Sequence, residues 1–331
     1  MRFTFVILIF LSLGADAQMI IKAHANYRPY AVAVAQNLLL DDYSGAAAAY
    51  SLRKLDKDYT GSAIRVRRSN DNTEQDIGFT SSGDLDTAAL KTFVGANNGF
   101  VTTWYNQADS ASVFGIRNAI QTTSSLQPSI IVSGVIVREN GNPTIRFNGS
   151  TTRLTVNNSQ STFAFLHRTG KSYVSIVLKN TKLAANGVGS IIDNCGAVSS
   201  ATGFYMNTND TLFTSNVVRS SSGNFTSFVS DNSFSPSNLS LITNILDNGN
   251  ATAALRNLIY KNGTASSVVN TFTNTPSTST TSNLNLSIGR NSSSPAAGFG
   301  GSISEVIIYP SDQSSNRTGI ETNINSYYGI Y

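Results

Sequence analysis

Few side chains in this sequence have the chemistry of nucleophiles or metal ligands, and their scarcity already excludes several functions. Cysteine occurs once, at Cys195, and histidine twice, at His24 and His167. One cysteine and two distant histidines do not assemble a Cys/His zinc site. The single cysteine also forbids an internal disulfide. A Cys195–His167 nucleophile pair is formally available, but a lone cysteine more often serves as a small buried hydrophobe. Two oxygen-rich stretches, Asp71–Asp76 (DNTEQD) and Asp247–Asn250 (DNGN), offer hard ligands to a calcium ion, although neither has a defined loop spacing. The one tight basic cluster is Arg65, Arg67 and Arg68 in AIRVRR. In a strand, Arg65 and Arg67 share one face and Ile64 and Val66 the other. That pattern reads as a solvated strand edge and not as a phosphate site.

The bulk composition narrows the class. Of 331 residues, 40% are hydrophobic and 13% charged, the latter about half the usual share. There is enough apolar material for a core and too little Glu, Lys and Arg for a coiled coil. Lys plus Arg number 23 and Asp plus Glu 19, a net charge of +4 spread thinly along the chain. A nucleic-acid binder concentrates such an excess on one face, so no nucleic-acid partner is expected. Arg2, the apolar run Phe3–Leu13 and Ala15-Asp16-Ala17 have the order of a signal peptide cleaved after Ala17. The run is too short for a permanent span, and no later segment is long and apolar enough. The mature chain is therefore expected to be secreted, or displayed on a cell or virion surface, without stable membrane insertion. Residues 18–37 have no clear period and read as an arm, with one globular domain over residues 38–331.

The elements follow from periodicity. Ala46–Leu55 (AAAAYSLRKL) predicts a short helix on alanine propensity. Leu85–Val94 predicts another, with Asp86 near its start. Ala63–Arg68, Gly99–Asn106, Val132–Val137 and Thr144–Phe147 predict strands, the last two separated by the turn ENGNP. Beyond Gly149 the pattern is uniformly β. Strands are expected at 173–178, 190–192, 203–206, 212–217, 225–229, 239–245, 255–260, 284–288 and 300–309. Asn262-Gly263 marks a tight hairpin. Asn270–Leu284, with 12 of 15 residues Ser, Thr or Asn, predicts a long mobile loop. Ile320, Ile324 and Tyr327 give Ser314–Tyr327 a helical period. The fold class is mostly β: an antiparallel two-sheet jelly-roll sandwich with a few short helices, one of them C-terminal.

Two sets of segments carry a resemblance. Ala46–Phe79, Leu85–Gln107 (LDTAALKTFVGANNGFVTTWYNQ) and Gln127–Gly134 (QPSIIVSG) together resemble the catalytic domain of α-L-arabinofuranosidase B, glycoside hydrolase family 54. The ending, LNLSIGRN at Leu284–Asn291 and GFGGSISEVIIYPSD at Gly298–Asp312, resembles concanavalin-like and laminin-G-like sandwiches. The resemblance implies a sandwich that meets sugars. It also implies, for members that are enzymes, a retaining mechanism with two carboxylates about 5 Å apart. The nucleophile stretch matches MNTNDTLF, Met206–Phe213, and its nucleophile position falls on Asn209 with Asp210 beside it. The acid stretch matches GRNSS, Gly289–Ser293, which has no carboxylate. Tyr105 and Gln107 match a Tyr-Asp-Gln motif whose Asp is Asn106 here. An amide neither forms a glycosyl-enzyme nor donates the acid proton. Hydrolysis would thus need Asp210, with Asp193 or Asp231, to have taken over.

The expected function is a non-catalytic glycan-binding or adhesion module, with carbohydrate or a cell-surface glycan as partner. Trp104, Tyr105, Phe204 and Tyr205 offer rings for stacking, and Gln107 and Asn209 offer amides for orientation. The other reading of each ring is a position in the sandwich core, which suits Trp104 above all. The alternatives are a retaining α-L-arabinofuranosidase and a structural surface, fibre or virion component that self-associates. No organic cofactor is expected; calcium is the ion that laminin-G-like modules hold. Ten Asn-X-Ser/Thr sequons, at Asn148, Asn157, Asn209, Asn224, Asn238, Asn250, Asn262, Asn285, Asn291 and Asn316, imply heavy glycosylation only in a eukaryotic secretory route.

Overall fold

Apolar residues occupy both faces of three strands, and the architecture follows from that. In Ser240–Asp247, Ile242 and Leu246 join one hydrophobic cluster while Leu241 and Ile245 join another. Lys171–Lys182 repeats the pattern, with Val174, Ile176 and Leu178 on one side and Tyr173 and Val177 on the other. Gly300–Tyr309 does so with Ile303, Val306 and Ile308 against Ile307 and Tyr309. A strand apolar on both faces must be covered on both.

The computed structural model describes residues 38–108, 114–115, 117–182, 189–196, 201–208, 213–220, 225–231, 238–266, 272, 274–290 and 298–331. Two antiparallel layers emerge from the strand pairing. In the smaller layer, Gly300–Tyr309 pairs along its length with Lys171–Lys182. Its other edge carries Ala48–Ser51 and Ile145–Asn148 end to end. Ser240–Asp247, Asn257–Lys261 and Thr264–Ala265 extend the layer beyond Lys171–Lys182. The larger layer runs from Glu74–Ile77 through Ile64–Arg68, Gly99–Trp104, Ala119–Ile120 and Leu154–Val156. It continues through Ser287–Ile288, Gly189–Asp193, Gly203–Thr208 and Phe213–Val218 to Phe225–Asp231. Ser129–Val132 joins the layers at one edge, pairing with both Gly99–Trp104 and Ile145–Asn148. Ile176, Ile242 and Val306 of one layer share a core with Val66, Val156, Phe204 and Ile288 of the other.

Two Asn-Gly pairs supply the positive φ angles that tight hairpins demand: Asn140 (47°) with Gly141 (84°), and Asn262 (52°) with Gly263 (77°). The helix Thr87–Val94 starts where the Asp86 carboxylate accepts the Ala89 N–H at 2.8 Å. Several expectations fail. Val132–Val137 is not one strand: the chain turns at Ser133-Gly134, and Ser129–Val132 pairs back on Val135–Ile136. Ala46–Leu55 is not helical; Ala48–Ser51 is a strand, buried at every residue and paired with Glu305–Ile308. Small side chains let it sit under cover on both faces, and that packing outweighs alanine's helical propensity. The segment 284–288 yields only the two-residue strand Ser287–Ile288. Within 274–284 the chain is pinned: Asn274 Nδ2 donates to Phe225 O at 2.9 Å, and Ser282 Oγ donates to Gln160 O at 3.1 Å.

The outward apolar face of the smaller layer is covered by the helices Leu39–Asp42 and Arg317–Tyr328, through Leu39, Leu40, Ile320, Ile324 and Tyr328. Beneath this cover lies a buried ion pair. Arg53 Nε and Nη2 donate to the two Glu305 oxygens at 2.9 and 3.0 Å. Ser51 Oγ (2.7 Å) and Tyr328 Oη (3.2 Å) donate to Glu305 Oε2, and Arg53 Nη1 donates to Asn323 Oδ1 (2.8 Å). The guanidinium lies 5.0 Å from the Tyr327 ring centroid. Removing one partner strands a charge out of water, so Arg53→Ala and Glu305→Ala should each cost about 3–5 kcal/mol in urea unfolding. Arg65→Ala, at an ion pair whose side chains are 44% and 38% exposed, should cost less than about 1 kcal/mol. Equal losses at the two sites would refute the clamp.

Candidate functional site

The register of the larger layer aligns one polar row across its outward face. Arg65 lies opposite Thr103, Thr103 opposite Ile120, and Ile120 opposite Thr155. Thr155 then faces Ser287, Ser287 faces Asp193, Asp193 faces Tyr205, and Tyr205 faces Asn216. Their chain neighbours Trp104, Ala119, Leu154, Val156, Ile192, Phe204 and Met206 all enter the core. Period-two alternation thus sends the apolar set inward and leaves a face of hydroxyls, amides and charges outward.

Where the row passes Ile120 and Thr155, a cavity of about 360 Å³ opens, within the range of small-ligand sites. Ile120 and Leu284 give it apolar surface; Gln121, Thr122, Arg153, Asn157, Gln160, Asn283 and Asn285 give it polar surface. Its lining includes no carboxylate. Several amides are held by the chain itself. Asn285 Oδ1 accepts the Ser159 N–H at 2.9 Å, and Asn283 Nδ2 donates to Cys195 O at 2.8 Å. Gln160 Nε2 donates to Asn283 O at 3.0 Å, and Gln121 Nε2 donates to Arg153 O at 3.3 Å. Fixed amides of this kind are pre-organised for hydrogen bonding to a ligand.

The residues singled out in the sequence fall in different places. Asn209 and Asp210 lie outside the described residues, and the side chain of Asp231 does too. Asp193 and Tyr205 are cross-strand neighbours. The Asp193 carboxylate is buried, and its Oδ1 accepts the N–H groups of Cys195 (2.7 Å) and Gly196 (2.8 Å). Tyr205 is half-buried against Cys195, Ala201 and Val218. Burial, then the nearby Cys195 and Asp193, push its hydroxyl pKa up. Phe204 is fully buried in the core. Trp104 has 0% exposure and packs against Tyr50, ring centroids 5.8 Å apart, so its ring has no face left for a sugar. Tyr105 is half-buried and donates to Asp76 Oδ1 at 2.7 Å. Burial and that hydrogen bond push its pKa up to about 12.

Gln107 is buried and fully used within the chain. Its Nε2 donates to Ser51 O (3.1 Å) and Arg53 O (3.0 Å), and its Oε1 accepts the Leu55 N–H (2.9 Å). Asn106 Oδ1 accepts the Ala49 N–H at 2.7 Å. The Tyr-Asn-Gln motif therefore includes a splice between the strand end after Trp104 and the segment 49–55. The oxygen-rich stretches are engaged by cations: Arg68 on Asp71 at 2.6 Å, Arg65 on Asp76 at 2.7 Å, and Lys171 4.0 Å from Asp247. Among the described residues, no three His, Cys, Asp or Glu side chains converge on a metal position. Cys195 is buried, and burial pushes its thiol pKa up.

Sequence reasoning missed the cavity residues Thr122, Arg153 and Gln160. Their signal was weak: Arg153 and Thr155 alternate with Leu154 and Val156 in RLTV, which marks a face without marking a site.

An antiparallel sandwich of this build is of the kind found in glycoside hydrolases. No protein-family model matches the sequence, and no curated protein matches it. Among solved structures, the chain is similar to a glycoside hydrolase family 54 α-L-arabinofuranosidase soaked with a cyclic sulfate inhibitor. The TM-score is 0.55 at 16% identity, covering 86% of this chain and 64% of that one. It is similar also to an arabinofuranosidase complexed with arabinofuranosyl-α-1,2-xylobiose, with TM-score 0.52, 16% identity and the same 86% and 64% coverage. The chain thus spans less than two thirds of these enzymes, and at this identity the likeness is one of fold.

His167 ties the segment bearing Asn283 and Asn285 to the sandwich, its Nε2 lying 3.2 Å from Ser279 O. Burial depresses its pKa to about 4, from 6.5, and Nδ1 has no partner. The unfolded chain therefore binds the proton first, so stability is full above about pH 6.5 and falls as pH drops toward 4. His167→Gln should flatten the denaturation midpoint across that window; an unchanged slope would exclude His167 as its source.

Proposed function

We propose that this chain is a secreted or surface-displayed carbohydrate-binding sandwich that holds a sugar in the cavity beside Thr155 without cleaving it. The observation that carries this reading is the lining itself: fixed amides and hydroxyls around the apolar side chains of Ile120 and Leu284, with no carboxylate. A sugar presents hydroxyls that both donate and accept, and a C–H face that packs on apolar surface. Orientation by a few polar groups over apolar surface is how such pockets select. Bond cleavage asks for something else, a pair of opposed carboxyl groups. At the position matching the family's acid stretch this chain has Gly289-Arg290-Asn291.

Thr122 and Asn157 line the cavity and make no side-chain hydrogen bond to a described residue, so Thr122→Val and Asn157→Ala should leave the fold intact. On a broad array of plant, bacterial and animal glycans the full chain should be retained by at least one class. Each variant should weaken that binding by about fivefold, the worth of one neutral hydrogen bond. Silence across the array would remove the proposal and favour a structural surface component.

The fold likeness to arabinofuranosidases, together with Asp210 in MNTNDTLF, supports a second reading as a retaining α-L-arabinofuranosidase. That reading expects release of the phenol from an aryl arabinofuranoside, lost on Asp210→Asn. No turnover by correctly folded chain would remove it.

A further inference from the structure

Resting on that carbohydrate-binding reading, we infer that the sugar taken by the cavity is a carboxylated one, a uronic acid, and that Arg153 grips its carboxylate. Arg153 is the one ionisable side chain in the lining. Its backbone is tied down, the N–H donating to Leu126 O at 3.0 Å and the carbonyl accepting from Gln121 Nε2. Its guanidinium, by contrast, makes no hydrogen bond or ion pair with a described residue. Arg53, Arg65, Arg68 and Arg317 each have a carboxylate partner, and Arg67, Arg138 and Arg256 bind amide or backbone oxygens. A guanidinium with no partner among the described residues, set in a cavity lining, suits an anion from outside.

The surroundings add to the positive potential. Arg290 is buried nearby and donates to Thr151 O at 3.4 Å. Burial first, and repulsion from Arg153 second, lower its pKa, which places the two cations within electrostatic reach of each other. Low-dielectric walls around positive charge concentrate the field on an entering anion. The planar guanidinium fork matches a carboxylate with two parallel hydrogen bonds.

The remaining polar groups suit the hydroxyls of the same ring. Asn285 has its Oδ1 engaged by Ser159 and keeps Nδ2 to donate. Asn283 and Gln160 have their amide nitrogens engaged and keep their oxygens to accept. Donors and acceptors are thus both present in fixed positions, as a polyol requires.

The test is isothermal titration of the full chain with four probes: trigalacturonate, its methyl ester, xylotriose, and a sulfated neutral trisaccharide. Trigalacturonate should bind at least about tenfold tighter than its ester, as loss of a charge-assisted bond predicts, and its affinity should fall with added salt. Arg153→Gln should abolish the preference for acid over ester, and Arg153→Lys should restore part of it. Unchanged thermal melting of both variants would confirm that folding is not the cause. Equal binding of acid, ester and xylotriose would overturn the uronate assignment and leave the carbohydrate reading standing. Tighter binding of the sulfated probe would also overturn it, in favour of a sulfate ester. A preference for acid that survives Arg153→Gln would remove Arg153 from the role. Binding of none of the four, alongside silence on the glycan array, would overturn both readings.

Discussion

Arg53 and Glu305 meet where the strand Ala48–Ser51, the central strand Gly300–Tyr309 and the C-terminal helix converge. Taking both charges out of water is expensive, and only near-complete hydrogen bonding offsets it. The site provides that: two oxygens accept four donors, and the guanidinium finds Asn323 as well. The donors come from two stretches of chain, 51–53 and the C-terminal helix, and the acceptor from a third. A slip of one residue in any of them would break the set, because a one-residue shift turns a strand's side chains to the opposite face. The pair therefore specifies register and helix placement more than it adds net stability. Gln107 reinforces the same junction by holding the carbonyls of Ser51 and Arg53.

The two layers are finished differently on their outward faces. The outward face of the smaller layer carries Tyr173, Val177, Leu241, Ile245, Ile307 and Tyr309. Left in water it would be a large apolar patch, so the chain spends its helices covering it. The outward face of the larger layer carries Thr103, Thr155, Ser287 and Asn216 along its row; Ser287 and Asn216 are buried there, and Thr103 and Thr155 are partly exposed. The cavity at Thr155 lies on this face, bounded by the pinned segment 283–285.

Much of this was legible in the sequence, for local reasons. The Asn-Gly hairpins, the Asp86 cap, the C-terminal stripe of Ile320 and Ile324, and the alternation in Ile64–Arg68 are all properties of short segments. The order of short strands gave the fold class. What was not legible depends on distant partners. Ala48–Ser51 is a strand because Glu305–Ile308 lies beside it, some 250 residues away in sequence. Trp104 and Gln107 have the residue types of a sugar site, yet one faces the core and the other splices two segments. Arg153 looked like any surface arginine. Its place in the cavity lining sets it apart, and that place depends on strands and loops far apart in sequence.

Binding and cleavage make opposite demands on a carboxylate. A retaining nucleophile must leave its hydrogen-bond partners partly free so that an oxygen can attack the anomeric carbon. Asp193 is placed on the outward row, next to Tyr205, where such a group would be useful. Its Oδ1, however, accepts two backbone N–H groups of the turn that follows its strand. Attack by that oxygen would strip both donors and leave them buried without a partner, at about 1–3 kcal/mol each. Through Oδ1 the side chain holds the strand end in place, while Oδ2 lies 3.4 Å from Ser190 Oγ. Retaining cleavage asks for a second carboxyl group opposed to such a nucleophile, whereas the proposed sugar site asks only for fixed amides and a placed Arg153.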